Sequence, residues 1–63
     1  MKKVEFRVIS NTVSQVYQIK AVNPAYQMYD GMYNSIASLM ARITEITKLI
    51  RAKNKAKAVF YFE

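Results

Sequence analysis

Cysteine, histidine and tryptophan are absent from the 63 residues of this chain, and glycine and proline occur once each. Each absence excludes something. Without cysteine there is no disulfide framework, and without cysteine and histidine there is no ordinary zinc site. The commonest general base and the commonest intracellular nucleophile are missing with them. The single glycine, Gly31, cannot build a glycine-rich phosphate loop. Acids are scarce as well. Glu5, Asp30, Glu45 and Glu63 are too dispersed for a two-carboxylate site. The expectation is a protein that is not an enzyme and holds no cofactor. No apolar run approaches the ~18 residues of a membrane span. Glu5 and Arg7 interrupt the stretch after the first lysines, where a signal peptide would be apolar. The expected compartment is the cytoplasm, with no membrane partner.

What is present is apolar bulk and positive charge. Hydrophobic residues make up 52% of the chain against 22% charged, a balance that favours a folded core over disorder. The length allows one domain, residues 1–63. So small a domain buries only ~60% of the surface its unfolded chain exposes, which makes self-association the remaining route to extra stability. Ten Lys/Arg against four Asp/Glu give a net charge of +6. Such an excess favours polyanionic partners: nucleic acid, an anionic surface or an acidic protein.

Along the chain the apolar period changes twice. Lys2–Ser10 alternates, with Val4, Phe6 and Val8 on one side and Lys3, Glu5 and Arg7 on the other, as in a half-buried strand. Ser10-Asn11-Thr12 reads as a turn. Val13–Val22 follows as a second strand, with Tyr17, Ile19 and Ala21 on its apolar face. Asn23-Pro24 marks a boundary, an N-cap residue before a proline at the first helical position. Tyr29, Met32, Ile36, Leu39, Ile43, Ile46 and Ile50 then recur at spacings of three and four, an amphipathic helix over Asp30–Lys53. Ala25–Asp30 is set apart as a turn, with Asp30 capping the helix and Asn54 ending it. Ala56–Phe62 alternates again as a third strand. The predicted fold is α+β: a ββαβ domain whose long amphipathic helix covers one face of a three-stranded antiparallel sheet. A right-handed crossover from the second strand gives the order 2-1-3.

A helix over Asp30–Lys53 would be ~36 Å long against ~23 Å for a seven-residue strand. Its apolar stripe would overhang the sheet, and a second copy would bury the excess. That predicts a homodimer, with Tyr26, Tyr33, Met40 and Ile50 as interface candidates.

The far face of the sheet collects Lys3, Arg7, Lys20 and Lys57 around Glu5, with Tyr61 among them. Arg51, Lys53 and Lys55 precede Lys57 and extend the positive rim; in an extended chain Lys53, Lys55 and Lys57 share one side. Cations for phosphates and a flat aromatic for bases are the physical recipe of a single-strand platform. The expected partner is therefore nucleic acid, RNA favoured. The alternative is an acidic protein, met by an inhibitor or antitoxin-like factor docking on a toxin or nuclease. A structural use competes with both, since cations at a helix C-terminus favourably oppose its dipole.

In size, basic character and strand–strand–helix–strand order, the chain resembles the small accessory proteins of tailed phages that disarm host toxin–antitoxin or other defence systems. The resemblance implies binding either to RNA or to a toxin's site. It lies in the overall format and carries no individual residue with it.

Overall fold

The computed structural model describes residues 2–63. The protein is α+β, a mixed four-stranded sheet with one long helix against one face. The first strand, β1, runs Lys2–Asn11 and pairs antiparallel with β2, Val16–Ala21. A 3₁₀ segment, Pro24–Tyr29, leads to a short third strand, β3 (Gly31–Tyr33), antiparallel to β2. Helix α1 spans Ile36–Asn54, and β4, Ala56–Phe62, returns beside β1. The spatial order is β3-β2-β1-β4.

The first hairpin closes later than its sequence suggests. Asn11 stays in β1 opposite Val16, and its side chain accepts hydrogen bonds from the N–H groups of Val13 and Ser14. The turn therefore occupies Thr12–Gln15, with Gln15 in the left-handed region at φ 55°, and β2 begins at Val16 instead of Val13. The Asn23-Pro24 boundary is as expected. Asn23 accepts from the N–H of Ala25, and Pro24 opens the 3₁₀ segment, which is separate from the main helix.

Two expectations fail here, and the second follows from the first. Asp30 does not cap α1. Its carboxylate accepts from the N–H of Ala21 at 2.8 Å, tying the end of β2 to the segment before β3. Gly31-Met32-Tyr33 then pairs with β2, and the helix begins only at Ile36, capped by Ser35, whose hydroxyl accepts from the N–H of Ser38. Tyr33 lies back over Gly31, where an added Cβ would stand 2.7 Å from the tyrosine oxygen. Because β3 is antiparallel to β2, it runs in the same sense as β1. The crossover through α1 therefore delivers β4 parallel to β1, where a three-stranded chain would have delivered it antiparallel. The neighbours β2, β1 and last strand are those expected; the direction of the last is reversed.

The core lies between the sheet and α1. Val4, Phe6, Val8 and Ile19 meet Leu39, Ile46 and Ile50 from the helix, with Tyr29 and Ala56 closing the sides. Phe6 stacks on Phe60 (centroids 5.1 Å apart) and meets the edge of Tyr29. Only 19 residues are helical, about 28 Å of helix. The stripe is shorter than expected, because Met32 belongs to β3 and points away from the core; at the C-terminal end Ile50 is wholly enclosed, while at the start of the helix Ile36 and Met40 remain exposed.

Candidate functional site

Strand register brings the predicted outer face together. Lys3 stands opposite Lys57, Glu5 opposite Val59 and Arg7 opposite Tyr61 across the β1–β4 pair; Arg7 also stands opposite Lys20 on β2. All four cations are exposed. Two like-charge pairs facing one another across strands are destabilising by themselves. At Arg7 the repulsion is relieved within the chain. Its Nη2 donates to Glu63 Oε1 at 2.8 Å and its Nε donates to Glu63 Oε2. These bonds hold the Glu63 carboxyl below the usual carboxylate range and raise the Arg7 guanidinium correspondingly. Tyr61 donates its hydroxyl to Glu5 Oε2 at 2.6 Å, which pushes the phenol up. Among the described residues no acid stands opposite Lys3 or Lys57 in the register.

Alternation within Ala56–Phe62 does not by itself bring Glu63 to this face. Its N–H donates to Val8 O at 2.9 Å, so it continues the ladder of β4, and the parity of Lys57, Val59 and Tyr61 reaches it. The middle of the face is accordingly less positive than expected.

The rim also differs. Arg51 and Lys53 lie in the last turn of α1, and Lys55 forms its C-cap in the left-handed region (φ 50°, ψ 43°). Lys53, Lys55 and Lys57 therefore do not share one side of an extended chain. They gather all the same, because α1 ends where β4 begins and β1 starts beside it: Lys2 is in register with Ala56 and Lys3 with Lys57. Arg51 and Lys57 line one cleft of about 320 Å³ with Thr47, Ala56 and Ala58. Lys2, Lys3, Arg51, Lys53, Lys55 and Lys57 thus form a basic pole. The other four cations are Arg7, Lys20, Arg42 and Lys48; of the four acids, Glu5 lies on the same outer face, two residues along β1 from Lys3. Two of those acids are paired with cations, Glu63 with Arg7 and Glu45 with Arg42. These six cations, with Glu5 beside Lys3 on the same face, make this end of the molecule strongly positive. Lys2 joins the pole through register alone, since alternation does not single it out.

At the opposite end the outer face is apolar. Ile9, Val16 and Met32 surround Gln18 in a shallow hollow of about 250 Å³. Of the four expected interface residues, Ile50 is in the core, Tyr26 and Tyr33 are half-buried against it, and Met40 is exposed. Among the described residues no three acidic side chains converge as metal ligands, and no helix is long and apolar enough to cross a membrane.

No protein-family model, curated protein or solved structure matches the chain.

Proposed function

We propose that this is a small non-enzymatic binding protein that holds single-stranded nucleic acid, RNA favoured, by its phosphates at the basic pole. The observation that carries the reading is the clustering of charge: six of the ten cations gather where α1 ends and β4 begins beside β1, with Glu5 next to them on the outer face. Lys3 and Lys57, facing each other without a counterion in the register, supply a standing reason to take up an anion. From the pole the outer face continues past Tyr61, 48% exposed, to the apolar hollow at Met32, a surface on which bases can lie while phosphates stay at the cations.

Fluorescence anisotropy with a labelled oligo-uridine RNA tests this. Neutralising four to six phosphates should give a slope of log K against log salt of roughly −3 to −4. Changing Lys3, Lys55 and Lys57 together to Gln should shrink that slope by about 0.7 for each phosphate no longer neutralised. Tyr61→Ala should cost about 1–3 kcal/mol if a base stacks there. Binding that ignores salt, or that survives the triple substitution unchanged, overturns the reading. An acidic protein could use the same pole. A pull-down in which one stoichiometric protein is retained after nuclease treatment would put that partner in the place of RNA.

A further inference from the structure

Strand β4 is the outermost strand on its side of the sheet, and its free edge is long. The N–H of Glu63 points at β1, where it meets Val8 O. Backbone groups alternate along a strand, so Ala56, Ala58, Phe60 and Phe62 turn theirs toward the open side. Proteins usually blunt such an edge with proline, a bulge or several charges. Within β4 only Lys57 is charged, and the rest reads Ala, Ala, Val, Phe, Tyr, Phe.

The side chains of β4 are ordered by size. On the inner face the sequence runs from small to large, Ala56 and Ala58 before Phe60 and Phe62. Reversed upon itself about Val59, this strand is its own complement. Phe60 falls opposite Ala58, Phe62 opposite Ala56, Tyr61 opposite Lys57, and Val59 opposite Val59. The same register makes hydrogen-bonded pairs of the residues whose backbone faces outward, for roughly eight inter-chain bonds. A slip of two residues either way removes about two of them and sets Phe60 or Ala58 against itself.

The cavities agree with that register. Beside Ala56 and Ala58, at the start of β4, lies the cleft of about 320 Å³ walled by Thr47 and Arg51. At the far end Phe62 is 63% exposed and lines a smaller apolar hollow with Ile36 and Met40. Antiparallel pairing sets the start of one strand beside the end of the other. We propose that the chain forms a two-fold homodimer through β4, which joins the two sheets into one and seats Phe62 of each copy in the cleft beside the partner's Ala56 and Ala58. This is not the helix-stripe dimer that the sequence predicts, because Ile50, one of the residues that dimer needs, is consumed by the core.

The chain contains no cysteine, so single cysteines report the register cleanly. Residues on the axis of a non-hydrogen-bonded antiparallel pair have Cα atoms ~4.5 Å apart, within disulfide reach. Val59→Cys should give a disulfide-linked dimer on mild oxidation, while Lys57→Cys and Tyr61→Cys should cross-link at least about tenfold more slowly, since each stands ~13 Å from its own copy. Failure of Val59→Cys to cross-link, or equal rates at all three positions, overturns the proposal. Sedimentation equilibrium gives a second readout with Ala58→Pro. The N–H of Ala58 faces the open edge, so proline there removes no bond to β1. A variant that keeps its circular dichroism and self-associates at least about tenfold more weakly supports the dimer. One that keeps both its fold and its affinity refutes it, and if the variant unfolds the cross-linking pattern alone decides.

Discussion

Arg7 and Glu63 show how a single acid can redirect a face whose cations are otherwise plain in the sequence. Glu63 takes both hydrogen bonds of the Arg7 guanidinium, and both side chains are exposed, so the pair contributes to stability only modestly. Its pH dependence has a definite sign. The Glu63 carboxyl is lowered in the folded chain by the hydrogen bonds from Arg7, so its contribution is fully present above the unfolded value and is lost as pH falls through the folded one. Glu63→Gln should therefore melt below the parent at neutral pH, and the two melting curves should converge only as pH falls below the usual carboxylate range. A gap that persists unchanged into acid would mean that Glu63 acts through something other than its charge. Tyr61 behaves oppositely. Its phenol is raised by the hydrogen bond to Glu5, so that bond contributes below the ordinary tyrosine value and is lost as pH rises through the raised one.

At the scale of elements, alternation is enough to assign the faces of β1, β2 and β4, because a period of two leaves no freedom about which side is buried. Lys3, Arg7, Lys20, Lys57 and Tyr61 are legible for that reason. The helix start is not, because Tyr29 and Met32 continue the spacing of Ile36 and Leu39 while belonging to a 3₁₀ turn and a strand. What separates them is tertiary: the Asp30 carboxylate bound to Ala21, and Gly31 paired with Ile19. A three-residue strand carries almost no periodicity of its own, yet it reverses the direction of β4. Glu63 and Lys2 are hidden in the sequence for a simpler reason. Each gains its place only through register with another strand. The junction of α1 and β4 also yields a prediction. Lys55 holds a left-handed conformation that glycine adopts without strain. Lys55→Gly should raise stability in urea titrations by about 0.5–1 kcal/mol while weakening RNA binding. Loss of stability in that variant would show that the lysine side chain, not the backbone geometry, holds the turn.

Taken whole, the molecule carries a cationic end formed by the start of β1, the close of α1 and the start of β4. Helix α1 compensates in part, since Arg51 and Lys53 in its last turn favourably oppose its dipole. The rest of the repulsion is stored in the folded state, because unfolding lets the six cations separate. Screening should reveal it. The Debye length falls from ~30 Å at 0.01 M salt to ~10 Å at 0.1 M. The melting temperature should rise over that interval in sodium chloride. Changing Lys3, Lys55 and Lys57 to Gln should raise it at low salt and flatten the salt dependence. The same number of substitutions at Lys20, Arg42 and Lys48 should do so less, because Arg42 is paired with Glu45 and Lys20 lies on β2, away from the β1–β4 junction. Equal responses from the two triple variants would mean that the excess charge acts as a diffuse cloud. The pole would then have no electrostatic identity, and the case for a localised phosphate site would fall with it.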